Sequence, residues 1–295
     1  MTDRAGRRVA LVTGASRGIG RATAIALAAG GLDVAITART VREGDGRDES
    51  VGGTPRPIAG SLETTAREVE AAGGRALPVR ADLLDRASLI AAVDRVIDAW
   101  GRIDVLVNNA VHTGPGSMER FVDLDLAWVD AKLQANVVSQ LVLIRAVLPV
   151  MLERGEGTIV NVTSAVATSD PPAPTGQGGW GLGYALTKGA FHRVAGILAV
   201  ELGSDGIFVV NVEPGYVLTE RMQGAQDDLG LTGRYPGAPP SVPAAVIAWL
   251  AGARHPDLAI APMTGEERAT LNGTTVSAQR FARERKLHPD WRGSG

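Results

Sequence analysis

The chain contains no cysteine. That excludes disulfides, thiolate zinc sites and cysteine nucleophiles, and it fits a reducing cytosol without proving one. Histidine is scarce too. His112, His192, His255 and His288 are scattered without ligand spacing, so no metal site is expected. Neither sign of charge prevails: 32 acidic residues oppose 30 basic ones, for a formal net charge of −2. Nothing in that balance points to nucleic acid or to an anionic membrane surface. A Gly-x-x-x-x-Gly-Lys phosphate loop is missing, which argues against a nucleoside triphosphatase. The longest apolar stretch, Val137 to Leu152, is interrupted by Ser139, Gln140, Arg145 and Pro149 and is shorter than a membrane span requires. Met1 to Arg8 is polar and shows no secretory pattern. The expectation is a soluble, cytoplasmic protein with neither membrane nor nucleic acid as partner.

What is present is an apolar alternation. Of 295 residues 45% are hydrophobic, enough for a sizeable core in one α/β domain. Short runs at Val9–Thr13, Asp33–Thr37, Ala76–Arg80, Ile103–Val107, Thr158–Val162 and Ile207–Val212 read as strands. Between them, helical periodicity covers Ile19–Ala29, Leu62–Ala72, Ala87–Trp100, Leu126–Glu153 and Tyr184–Leu202. A seventh strand is expected near Ala269–Val276. Strands rich in Val, Ile and Leu on both faces predict a doubly wound, Rossmann-like parallel sheet covered by helices. Glycine and proline mark irregular segments at Glu43–Gly60, Ser169–Gly183 and Gly224–Val242. The reading is a single domain, 1–295, with insertions near 43–60 and 169–183 and a C-terminal extension near 277–295.

Two segments carry chemistry. Thr13-Gly14-Ala15-Ser16-Arg17-Gly18-Ile19-Gly20 ends the first strand and opens the first helix. Gly14 suits a turn conformation closed to other residues, and Gly18 and Gly20 permit close backbone approach. The helix N-terminus then offers free N–H groups to a diphosphate. A tight strand–helix turn with no ligand has the same glycines, and only the context separates the two. The second strand ends in Ala38-Arg39 and lacks the acidic residue that accepts from the ribose 2′-hydroxyl of NAD. Arg39, with Arg17 inside the turn, suits a 2′-phosphate, so NADP(H) is favoured over NAD(H). The other segment is Tyr184-Ala185-Leu186-Thr187-Lys188. Residues four apart share a helix face, and an ammonium beside a phenol lowers the pKa of the phenol towards neutrality. Such a tyrosine suits acid/base work at a carbonyl or alcohol. Alone, the pair reads first as an ordinary surface pair, because such spacing arises often by chance.

Together with Asn108-Asn109-Ala110, Ser164 and Pro214-Gly215, in this order, the chain resembles the short-chain dehydrogenase/reductase family over about Arg8 to Thr219. The resemblance implies Tyr184 as acid/base and Lys188 as its partner and ribose ligand. It implies Ser164 as the hydroxyl that orients a substrate carbonyl, with Ser169 as the fallback, and Asn136 as the residue that holds a proton-relay water. For the dinucleotide it implies Gly14, Ser16, Arg17, Gly18, Ile19, Gly20 and Arg39. It adds Asp82 and Leu83 at adenine, Asn108 and Ala110 at its ribose, and Pro214, Gly215, Val217 and Thr219 at the carboxamide and diphosphate. It also implies a homotetramer or dimer paired through the long helices, and a small-molecule carbonyl or alcohol substrate. Trp180, Val111, Met222 and the Gly224–Val242 loop are expected to line the substrate pocket. His112 reads as a loop histidine close to the cofactor wall. The chain departs from the family pattern at Val111, where the family usually has glycine, at the two insertions, and at the C-terminus, which lacks the Asp-Gly-Gly ending. Two alternatives are a dinucleotide-sensing regulator without turnover, which has no need of the Asn136/Ser164/Tyr184/Lys188 set, and an NAD-dependent alcohol dehydrogenase.

Overall fold

The computed structural model describes residues 6–49, 55–227, 233, 237–255 and 259–291. The strands are β1 (Val9–Thr13), β2 (Asp33–Ala38), β5 (Ala76–Arg80), β6 (Val105–Asn108), β7 (Gly157–Val162), β8 (Ile207–Glu213) and β9 (Thr275–Ser277), with a small hairpin, β3 (Arg47–Asp48) and β4 (Arg56–Pro57). The helices are α1 (Gly18–Ala29), α2 (Leu62–Ala71), α3 (Arg86–Trp100), α4 (Leu126–Leu133), α5 (Ser139–Arg154), α6 (Leu182–Leu202), α7 (Glu220–Ala225), α8 (Ser241–Leu250), α9 (Gly265–Leu271) and α10 (Ala278–Arg285).

Seven strands form one parallel sheet in the order β5-β2-β1-β6-β7-β8-β9. The pleat explains the continuous apolar runs. Ala10, Val12, Val34 and Ile36 face a layer that includes Leu27, Val246 and Ala282, whereas Val9, Leu11 and Ala35 face one that includes Val93, Leu143 and Ala195. With both faces buried, neither set of alternate residues is free to be polar. Strand order reverses between β1 and β6, so a crevice opens at the carboxyl ends of these two strands, where open sheets take ligands.

Three expectations need correction. The seventh strand is only Thr275–Ser277, because Ala269–Leu271 belongs to α9, which a Thr264/Glu267 capping box starts. Gly273, at φ 78, then reverses the chain into β9. The single helix expected over Leu126–Glu153 is interrupted by a π turn at Gln134–Val138. The helical run from Leu126 to Arg154 is also 29 residues long, with a mean hydropathy of 1.8 in its most apolar window. By length and composition it suffices to cross a membrane, contrary to the sequence expectation, but 44% of that window is buried in the fold. The insertion near 43–60 contains the β3–β4 hairpin, with residues 50–54 outside those described. Residues 228–232 and 234–236 of the Gly224–Val242 loop are outside them as well.

One hydroxyl ties the two sides of the switch point together. Thr13 Oγ1, 2% exposed at the end of β1, accepts the N–H groups of Asn109 and Ala110, both at 3.0 Å, and donates to Val107 O at 3.1 Å. Asn109 Nδ2 returns the contact, donating to Thr13 O at 2.8 Å and Gly14 O at 3.2 Å. Thr13→Val keeps the shape and strands the Ala110 N–H, while the Asn109 N–H keeps Val107 O at 3.1 Å. An orphaned donor costs about 1–3 kcal/mol, so the variant is expected to lose roughly 2 kcal/mol in urea unfolding.

Candidate active site

The glycine turn forms one wall of the crevice by contact. Gly14 has φ 65, and a Cβ there would lie 2.8 Å from Ala110 Cα. A Cβ on Gly20 would lie 2.4 Å from Gly14 O. Side chains at these positions would force the loops after β1 and β6 apart. Between them the crevice is lined by Ser16, Arg17, Gly18 and Ile19 from the turn, and by Asp82, Leu83 and Ala110 from the loops after β5 and β6. Tyr184, Lys188, Pro214 and Thr219 complete it. The N-terminus of α1, a polar end at Asp82 and an ammonium at Lys188 fit the diphosphate, adenine and ribose parts of a nicotinamide dinucleotide.

The arginines are less free than their sequence positions suggest. Arg17 Nε donates to Ala59 O at 2.8 Å and Nη2 to Gly60 O at 2.8 Å. Its guanidinium therefore holds the 43–60 insertion in place, and burial lowers its pKa. Arg39 forms an ion pair with Glu49 at 3.2 Å, and its side chain is 41% exposed, so solvent screens the pair. The insertion adds Arg47, Asp48 and Ile58 to the lining at this end. Asp82 Oδ1 accepts the Leu84 N–H at 2.9 Å in a tight turn.

At the other end, α6 presents Tyr184 and Lys188 on one face. Lys188 Nζ donates to Val162 O at 2.9 Å, and burial lowers its pKa to about 8. Burial also raises the pKa of Tyr184, against which a hydrogen bond to Ser164 and the charge of Arg221 act, while Glu213 adds to the rise. The sequence expectation is thus corrected. The net direction at the phenol is upward, with burial the chief cause and Arg221 acting against it. Ser164 follows β7 and caps a short turn over Ala165–Ala167, whereas the fallback Ser169 is exposed beyond that turn. Asn136 sits in the π turn, 5% exposed. Its Oδ1 accepts the His112 N–H at 2.7 Å, and its Nδ2 has no protein partner.

Several expected residues stand behind the surface of the crevice. Asn108 is 1% exposed and donates from Nδ2 to Asn161 Oδ1 at 3.0 Å, so its side chain joins β6 to β7 and the wall is made by Asn109 and Ala110. Gly20 packs on Gly14. Gly215, at φ 73, lies under Gln279, where a Cβ would meet Nε2 at 2.3 Å. Val217 bridges Ala238. Of the expected pocket residues, Val111 lines the crevice, and Trp180 and Met222 do not. His112 lines it, with its pKa lowered chiefly by burial. Sequence reasoning missed Arg221, in the crevice immediately after Thr219-Glu220, although the spacing from Thr219 put it within view. It also missed Lys132, 0% exposed, whose Nζ donates to Gly114 O at 2.7 Å and holds the 112–116 loop. A lysine inside an apolar helical pattern gives no signal of that role.

A family model described as short chain dehydrogenase matches residues 8–54 and 56–230. A short chain dehydrogenase of Pseudocercospora fijiensis is 36% identical over 223 residues, which is 75% of this chain but only 62% of that protein. The 3-oxoacyl-[acyl-carrier-protein] reductase of Escherichia coli is 31% identical over 269 residues, 91% of this chain and 94% of the relative. Among solved structures, a 3-oxoacyl-[acyl-carrier protein] reductase from Brucella melitensis in complex with NAD superposes with a TM-score of 0.70 at 27% identity, covering 92% of this chain and 96% of that one. A metagenomic short-chain oxidoreductase in complex with NADP gives 0.63 at 31% identity, covering 83% and 90%.

Proposed function

This chain belongs to the short-chain dehydrogenase/reductase family and is an NAD(P)-dependent oxidoreductase, and we propose that it exchanges hydride between NADP(H) and a carbonyl or secondary alcohol, with Tyr184 as acid/base. The observation that carries the reading is Tyr184 and Lys188 on one face of α6, both lining the crevice that the glycine turn opens. When bound, the nicotinamide supplies or accepts the hydride.

The residues of the chain move the proton. A phenol whose pKa burial has raised is protonated at neutral pH. Tyr184 gives that proton to a substrate oxygen as negative charge develops there, and takes it back in the alcohol direction. Ser164, at hydrogen-bonding range of the phenol, holds the same oxygen. Arg221 favours the phenolate that remains. Lys188, fixed on Val162 O, spends one N–H there and keeps two for ribose hydroxyls. Asn136, with its unpartnered Nδ2, suits a water that returns the proton.

NADP(H) is favoured because Arg39 stands at the end of β2 where NAD-binding folds place an acid. Arg17 is committed to the 59–60 carbonyls, so the 2′-phosphate falls to Arg39. A second reading, NAD(H), draws on Asp48 in the same lining and on Glu49 paired with Arg39. Self-association through the long helices is supported by where the large exposed apolar residues fall. Leu126, Leu141 and Leu152 lie on α4–α5, and Leu186, Ile197 and Val200 lie on α6, with Val200 86% exposed.

Tyr184→Phe is expected to lower kcat by about 10²–10⁴-fold while the dissociation constant for NADPH stays as in the wild type; near-normal turnover would remove Tyr184 from the acid/base role. Lys188 is charged below its pKa of about 8, so kcat/KM for carbonyl reduction should hold at lower pH and fall as pH rises through about 8. The free-enzyme pH profile reads this directly. Arg39→Asp exchanges a charge-assisted contact worth about 1.5–3 kcal/mol for repulsion. The NADPH/NADH ratio of kcat/KM should drop roughly ten- to a hundredfold, and an unchanged ratio would favour the NAD(H) reading.

A further inference from the structure

The turn into α7 places an anion of the protein itself on the N-terminus of α1. Glu220 Oε2 accepts the Gly18 N–H at 2.9 Å, and Oε1 lies 3.8 Å from Arg21 Nη1. Thr219 closes over the same glycine, where a Cβ would lie 3.0 Å from Thr219 Cγ2 and 3.7 Å from Glu220 Oε2. Gly18 is the first residue of α1, so its N–H has no intrahelical partner. Arg17 at the N-cap gives no side-chain cap, and the first turn holds no acidic residue. The negative charge that this N-terminus attracts therefore comes from a residue 202 positions downstream.

We propose that Glu220 is a resident counter-anion that occupies part of the diphosphate seat, and that a dinucleotide binds only as this carboxylate withdraws. The proposal rests on the dinucleotide reading of the crevice. A diphosphate needs the N–H groups at the start of α1, and the Gly18 N–H already has an anionic acceptor. A carboxylate and a diphosphate at one helix terminus repel each other, so both cannot keep their contacts. The element that carries Glu220 is built to move at little cost. α7 is six residues long, only Ala225 in it is buried, and the space around Gly224 is open. The next residue, Arg221, lines the same crevice and has no hydrogen bond or ion pair among the described residues. Withdrawal of Glu220 thus removes a competing anion and leaves a cation of the same turn facing the site. In consequence, Glu220 sets dinucleotide affinity below what the glycine turn alone would give.

The test is binding, not turnover. Dissociation constants for NADPH and NADH are measured by nicotinamide fluorescence on wild type and Glu220→Gln, with thermal melting in the presence and absence of saturating NADPH. Glu220→Gln is expected to bind both dinucleotides about 2- to 10-fold more tightly, the scale of a charge at a helix terminus. Its melting temperature without ligand should fall and its ligand-induced shift should grow. If Glu220 stays on α1 in both states, the constants are unchanged and melting falls equally with and without NADPH, which overturns the proposal; weaker binding overturns it too. Should Glu220→Gln fold poorly, Glu220→Ala, which also removes the competing charge, must tighten binding as well. A wild type that binds neither dinucleotide overturns the cofactor reading itself, and this proposal with it.

Discussion

The crevice exists because the hydroxyl of Thr13 is shared between two strands that diverge in connectivity. β1 and β6 are neighbours in the sheet, yet the chain leaves them in opposite directions, towards β2 and towards β7. Without a tie across that point, the loops after the two strands would have only van der Waals contact to set their spacing. Thr13 Oγ1 satisfies two backbone donors of the β6 loop at once, and the Asn109 amide satisfies two carbonyls of the β1 turn. Each buried polar group has a partner on the other side, so neither loop shifts without orphaning several. The missing side chains of Gly14 and Gly20 are the steric half of the same device.

The electrostatics of the site follow from what that device shuts in. Burial acts on Tyr184 and Lys188 in opposite senses, raising the phenol and lowering the ammonium, because it penalises whichever form is charged. Both groups are thereby moved towards their neutral forms. Arg221, reaching in from α7, opposes the shift at Tyr184 and deepens it at Lys188. One arginine thus bears on both titrating groups, and its position depends on the same turn that puts Glu220 on α1.

The sheet was legible in sequence because burial on both faces writes strands as unbroken Val/Ile/Leu runs. Of the six major strands, β1 and β5 fall on the expected residues, and the other four differ by no more than a residue or two at either end. The glycine turn and the Tyr184/Lys188 pair were legible because their chemistry resides in residue type and local spacing. What was not legible depends on long-range partners. Nothing in Arg17 itself tells that Ala59 and Gly60 carbonyls will claim it. Nor does Asn108 announce that Asn161, on another strand, will turn it away from the ligand side. The π turn at Asn136 was hidden for a different reason, since its apolar pattern is that of the helices on either side. Residues 269–271 misled because β-branched and apolar residues precede β9, while the capping box that decides for helix lies upstream at Thr264.

The 43–60 segment and α10 are attached to the two jaws of the crevice. The 43–60 insertion is fastened to the glycine turn by Arg17, and Glu43 accepts the Gly60 N–H at 2.8 Å to close its base. At the opposite jaw, α10 sends Gln279 Nε2 to Tyr216 O at 3.0 Å and Pro214 O at 3.3 Å, gripping the turn that leads to Thr219. α10 is itself anchored: Ala278 and Ala282 are in the core, Arg285 pairs with Glu267, and its guanidinium lies 4.6 Å from the centre of the Trp249 ring. Through Gln279, α10 therefore supports the turn between β8 and α7. Between these fixed supports lies α7, in which Ala225 alone is fully buried. Both ends of the crevice are thus tied to neighbouring elements, with the short helix carrying Glu220 and Arg221 between them.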